Sequence, residues 1–182
     1  SDAVALTQGI DGTGSLTQQG QGTTTLSAAN SYTGATTITA GTLALSGDGS
    51  IATSSGVHDN GVFDVSGTSS TTPSIAALEG PGSVVLGANT LTLTNANSSF
   101  GNVFSGVASG TGGLSVNGGT ETLSGANTYT GVTTVAQGAG LNLPGSIAGN
   151  LTTAGTTTIA GGSVGGSTSN SGTLTASNAT LR

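Results

Sequence analysis

The sequence predicts an all-β chain wound as a parallel solenoid, and three observations lead there. The first is an internal duplication. Leu26–Ser27–Ala28–Ala29–Asn30–Ser31–Tyr32–Thr33–Gly34–Ala35–Thr36–Thr37–Ile38 returns as Leu123–Ser124–Gly125–Ala126–Asn127–Thr128–Tyr129–Thr130–Gly131–Val132–Thr133–Thr134–Val135, with nine of thirteen positions identical and equivalent residues 97 apart. A repeated unit implies a stacked architecture, not one globular core. The second is composition: 34 Gly, 3% aromatic and 4% charged residues, where about a quarter charged is usual. Gly and β-branched Thr dominate and no 3.6-residue period is sustained, which argues against helices. The third is a 17-residue step near the C-terminus, kept by Ile147, Val164 and Leu181 and by Gly138, Gly155 and Gly172. Equal steps of similar residues arise when each turn of a coil lies on the last.

Taken in order, the chain reads as short strands. It opens with Val4–Ala5–Leu6 and an isolated Ile10 and Leu16, then Thr23–Thr24–Thr25–Leu26. Thr36 to Thr39 and Thr42 to Leu45 follow, parted by Ala40–Gly41. The middle holds Val62 to Val65, Ser74 to Leu78, Ser83 to Leu86 and Thr90 to Thr94, then a looser Phe100–Gly101–Asn102–Val103–Phe104. Leu114–Ser115–Val116, Thr120 to Leu123 and Thr133–Thr134–Val135 lead into the tail, where Leu141–Asn142–Leu143, Leu151–Thr152–Thr153, Thr156 to Ile159 and Thr173–Leu174–Thr175 complete the set. Gly, Asn or Ser stands at nearly every joint, supplying the positive φ of sharp turns. At roughly 17–22 residues per turn and about 4.8 Å between turns, the chain makes roughly eight to ten turns. Each turn adds a few Leu, Val or Ile to a narrow core, worth about 1.5–3 kcal/mol apiece when fully buried. No turn can bury its apolar face alone, so residues 1–182 are expected to form a single segment whose stability sums over neighbours.

Charge excludes several functions. The net charge is −6, with no Lys and a single Arg, Arg182. Such a chain cannot neutralise phosphates, so nucleic acid is not an expected partner, and anionic lipid is excluded on the same ground. The longest apolar runs, Ala3 to Leu6 and Ile75 to Leu78, fall far short of the roughly 20 residues of a membrane-spanning helix. Direct membrane insertion by this segment is therefore not expected. With no Cys, disulfides are absent.

The duplicated stretch resembles the autotransporter-associated β-strand repeat, Leu-(Ser/Thr)-Gly-x-Asn-x-Tyr-x-Gly-x-Thr-x-(Ile/Val) followed by a Gly-Thr-Leu strand. The second copy keeps the pattern from Leu123 to Val135, with Gly138–Ala139–Gly140–Leu141 after it. The first has Ala28 where the repeat prefers Gly, and continues as Gly41–Thr42–Leu43. The copies are placed near 12–45 and 110–143. The resemblance implies a right-handed parallel β-helix from the passenger region of an autotransporter, displayed on the cell surface of a Gram-negative bacterium. It also implies a passenger segment without the translocating β-barrel, since no long amphipathic strands or aromatic girdles occur.

Chemistry finds weak candidates. His58–Asp59 with Asp64 offers a base and carboxylates, but a triad also needs a positioned nucleophile. Gly161–Gly162–Ser163–Val164–Gly165 has the letters of a nucleophile elbow, which belongs on a strand-to-helix turn. Asp2, Asp11, Asp48, Asp59, Asp64, Glu79 and Glu121 are scattered, giving no local paired-carboxylate site for polysaccharide cleavage. No Gly-Gly-x-Gly-x-Asp calcium signature or EF-hand loop occurs. No catalytic, cofactor-binding or metal-binding residue is therefore assigned, and no enzyme activity is expected.

Thr-x-Thr pairs recur at Thr23/Thr25, Thr90/Thr92/Thr94, Thr120/Thr122, Thr156/Thr158 and Thr173/Thr175. They suit the outward face of a pleated surface, and their ladders offer hydrogen bonds to a neighbouring coil. The five aromatics, Tyr32, Phe63, Phe100, Phe104 and Tyr129, read as core or turn-stacking residues. The function expected is a structural and adhesive surface stalk that self-associates side by side or adheres to a host. The alternative is a groove that binds a host glycan or matrix protein, with ice binding or polysaccharide chemistry behind it.

Overall fold

A computed structural model describes residues 2–96 and 101–182. The chain forms a coil of about nine turns, and among the described residues every paired strand is parallel to its neighbours and no helix occurs. Each turn lays short strands on three faces. The first face holds Ala3–Leu6, Thr23–Leu26, Thr42–Gly47, Val62–Thr68, Ser83–Gly87 and Val107–Gly110. Ala126–Asn127, Ser146–Ile147 and Ser163–Val164 continue it. The second face is Ser74–Ile75, Leu91–Leu93, Leu114–Val116, Thr133–Val135, Leu151–Thr153 and Thr168–Asn170. The third begins with Leu16–Gln18, Thr36–Ile38, Val57–Asp59 and Leu78–Glu79. A bridge between Gly80 and Phe104 joins these to Val103–Phe104, Thr120–Leu123, Gly140–Asn142, Thr156–Ala160 and Thr173–Ser177.

Alternation decides which side chains enter the coil. In Thr42–Gly47, Leu43 and Leu45 are buried while Thr42 and Ala44 face outward. Strand pairing then stacks apolar residues along the axis: Leu43 on Phe63 on Val84, and Leu93 on Val116 on Val135. Tyr32, Phe63, Phe104 and Tyr129 are all fully buried, as expected of core aromatics, whereas Phe100 lies outside the described residues. The 17-residue step is real stacking, for Ile147 lies over Val164 and a bridge from Ser163 to Thr180 carries the register on. Elsewhere the step varies, from 16 residues between Gly140 and Thr156 to 24 between Ser83 and Val107, and the faces absorb the difference in their connecting turns.

The 97-residue spacing of the two copies is not a whole number of turns. Leu26 ends a strand of the first face and Ile38 one of the third, whereas Leu123 and Val135 end strands of the third and second. The second copy is thus displaced by one face, yet its corner is rebuilt atom for atom. Asn30 accepts from the Ile10 amide (2.9 Å) and donates to the carbonyls of Ala28 (2.9 Å) and Ser50 (3.0 Å). Asn127 accepts from Ala108 (2.9 Å) and donates to Gly125 and Ser146 (both 3.3 Å). One side chain thereby ties three successive turns, satisfying an amide that burial would otherwise orphan, at Ile10 or Ala108, and adding a donor to the facing carbonyls. Tyr32 and Tyr129 hydrogen-bond Thr36 (2.7 Å) and Thr133 (2.6 Å) inside the coil. Gly34 and Gly131 pass so close to the turn below that a Cβ would strike the carbonyls of Gly14 and Gly112. The motif is a corner joint, and its residue types follow from packing.

Candidate functional site

With the motif residues committed to the corner, the outward columns are what the coil presents. On the second face, register sets Ser74, Thr92, Ser115, Thr134, Thr152 and Ser169 in one column. All six carry hydroxyls and all are partly or fully exposed, repeating at about 4.8 Å along the axis. The Thr-x-Thr pairs divide among faces. Thr23/Thr25 lie on the first and Thr90/Thr92/Thr94 on the second, while Thr120/Thr122, Thr156/Thr158 and Thr173/Thr175 share the third. There the rung Gly140–Leu141–Asn142 interrupts the array. Charge is segregated along the axis: from Gly80 to Leu181 the one charged residue type in the sequence is Glu121, and that side chain is fully buried.

Glu121 points into the core because it occupies an inward position of Thr120–Leu123. Among the described residues neither carboxyl oxygen has a hydrogen-bond partner of good geometry, and the nearby Thr122 and Phe104 amides offset the burial only in part. Burial above all, with Glu79 adding to it, pushes the carboxyl up to about 9, so it is neutral at pH 7. Asp59 also faces inward; one oxygen accepts from the Gly61 amide at 3.0 Å, the other is unpartnered, and burial lifts the group to about 6.

The candidates weighed in the sequence do not converge. His58 Nδ1 lies 2.6 Å from Glu79, not from Asp59 or Asp64, and its Nε2 is 2.9 Å from the Asn60 amide nitrogen. Asp64 sits on the first face, accepting from the Ser66 amide and hydroxyl (2.9 and 2.7 Å). Ser163 lies in a strand paired with Ser146–Ile147, entered from Gly161 at φ +76°, so the elbow letters fall on a coil turn. The His58–Glu79 pair was not legible locally because 21 residues separate them; only the register that sets Val57 on Leu78 brings them together.

A cleft of about 240 Å³ lies at the edge of the first and second faces, where Asp48, Ser50, Ser70, Thr72 and Pro73 meet above Leu45. Its lining combines hydroxyls, turn backbone and one carboxylate with the apolar Leu45 and Pro73.

Comparison with known proteins agrees with this architecture. The passenger-associated-transport-repeat family matches residues 16–45 and 118–139, within the two copies read from the sequence. The adhesin BmaC autotransporter of Brucella suis biovar 1 (strain 1330) is 36% identical over 132 residues, 69% of this chain. The chain spans 4% of that protein's length. No solved structure matches. Repeat copies at 16–45 and 118–139, a three-faced parallel coil, and identity with an adhesin over most of the chain agree on one origin: this is an autotransporter passenger segment carrying passenger-associated-transport repeats.

Proposed function

We propose that the segment is a rigid adhesive stalk, displayed on the surface of a Gram-negative bacterium, that associates side by side through its uncharged hydroxyl columns and has no catalytic role. The observation that carries this reading is the Ser74–Thr92–Ser115–Thr134–Thr152–Ser169 column in a half of the coil without exposed charge. Donors and acceptors at a fixed repeat suit a partner of the same repeat. With no cation in either copy before Arg182, hydrogen bonds and small-residue packing must hold the pair. The relative described as an adhesin supports the adhesive reading. Sedimentation velocity over a wide concentration range tests it: concentration-dependent dimers that dissociate on Thr134→Lys and Thr152→Lys are expected. A strict monomer at the highest concentration would remove self-association from this segment.

The cleft around Asp48 favours a second reading, a pocket for one neutral sugar residue of a host glycan. Hydroxyls and a carboxylate supply polar contacts while Pro73 and Leu45 supply the apolar floor that small-ligand sites need. Binding to a glycan panel, lost on Asp48→Ala with the dimer unaffected, separates this reading from the first.

A further inference from the structure

Two Asn-Gly pairs occur in the described chain, and the coil places them alike. Asn60 follows the strand Val57–Asp59 and Asn117 follows Leu114–Val116. Both are exposed, and both donate their backbone N–H to the turn below at 2.8 Å, to Ile38 and Leu93. Their chemical surroundings differ. The amide nitrogen of Gly61 donates to Asp59 Oδ1 at 3.0 Å, and the side-chain nitrogen of Asn60 is 2.9 Å from His58 Nε2. The far nitrogen of His58 is held by Glu79 at 2.6 Å. At the other pair the equivalent neighbours are Val116 and Ser115, and Asn117 merely accepts from the Ser115 hydroxyl at 2.8 Å.

We infer that Asn60–Gly61 is a self-modifying site, at which Asp59 and His58 promote deamidation of Asn60. The steps balance with water as the one co-reactant. The Asp59 carboxylate takes the Gly61 amide proton, and the Gly61 nitrogen bonds to Asn60 Cγ. In the tetrahedral adduct the former amide nitrogen has become basic. His58, protonated from solvent, gives it the Nε2 proton, and the Cγ–N bond breaks to release ammonia and a five-membered cyclic imide. Water opens the imide at either carbonyl, leaving Asp or isoaspartate. Glu79 is a positioning residue: by accepting from Nδ1–H it turns Nε2 towards Asn60. The partial desolvation that raises Asp59 to about 6 makes it a stronger base than an exposed carboxylate while leaving it ionised at neutral pH. The product exchanges an amide for a carboxylate beside Glu79. In the isoaspartyl form it also adds a backbone atom to the short turn between Val57–Asp59 and Val62–Thr68.

The test is peptide mapping with isoaspartate detection on the folded chain, incubated at physiological pH and temperature, with Asn117–Gly118 as the internal reference. Conversion at Asn60 is expected to run on the order of a hundredfold faster than at Asn117, the low end of what positioned acid and base groups contribute. His58→Leu, on a partly exposed side chain, and Asp59→Asn, which keeps the shape of the buried group, should each bring Asn60 down towards the reference rate with the β signal in circular dichroism retained. In urea the two sites should even out. Equal rates at the two sites in the folded chain, unchanged rates in both variants, or conversion at Asn60 only after unfolding would each overturn the assignment.

Discussion

At the residue scale, the strongest constraints lie where one side chain serves several turns. Asn127→Ala leaves the Ala108 amide without its partner and removes one donor from the Gly125 and Ser146 carbonyls, the former still accepting from the Ser146 amide at 3.0 Å. An orphaned amide costs about 1–3 kcal/mol and each further bond lost about 0.5–1.5 kcal/mol, so a loss of about 2–4 kcal/mol in urea unfolding is expected, with Asn127→Asp recovering only the accepted bond. Gly131→Ala should cost about 1–3 kcal/mol, because the added Cβ meets the Gly112 backbone and not a side chain that can swing away. Glu121 sets a pH dependence. Its carboxyl is lifted from the ordinary value near 4.5 to about 9, so between these values the folded chain holds a proton that the unfolded chain has released. The folded state therefore binds more protons, and stability falls as pH rises through that window, by up to about 1.4 kcal/mol per pH unit. Urea unfolding from pH 5 to 9 should show this decline, and Glu121→Gln should flatten most of it; an unchanged slope in the variant would place the titration elsewhere.

At the scale of the element, a strand in this coil is only two to seven residues long and gains its stability from the strands above and below. Outward positions are then free of packing duty, which is why Thr, Ser and Asn fill them. A Lys at position 134 or 152 should leave thermal stability within about 0.5 kcal/mol of the parent while abolishing side-by-side association. Those two readouts together distinguish an interface from a fold defect. Twin corners show how strongly the element's surroundings dictate its sequence. Asn, Tyr and Gly recur at Asn30, Tyr32 and Gly34 and at Asn127, Tyr129 and Gly131 although the two copies face different sides of the coil.

For the whole molecule, the segregation of charge matters most. Exposed acids lie in the first 79 residues, and the turns beyond them present none until the C-terminus. Two copies in parallel register would set acid against acid, so repulsion opposes what the hydroxyl columns favour. Raising salt from low to physiological strength, where the Debye length falls to about 8 Å, should therefore strengthen association, whereas a salt-bridged interface would weaken. Sedimentation at two ionic strengths decides the sign.

Composition and local pattern alone determined an all-β chain of short strands with repeat corners, because strand alternation and turn chemistry act over a few residues and the twin motif repeats them intact; the 17-residue step leaned this towards a parallel coil over a sandwich. Inward placement of Leu43, Phe63 and Val135, and the structural part of the aromatics, were legible for the same reason. Only the tertiary structure decided which residues from different turns meet. A turn varies from 16 to 24 residues between paired rungs, so no sequence step could announce that His58 faces Glu79 or that Glu121 is swallowed by the core. Those contacts are fixed by inter-turn register, which is a sum of loop lengths and packing over the whole coil and leaves no mark in any one stretch of it.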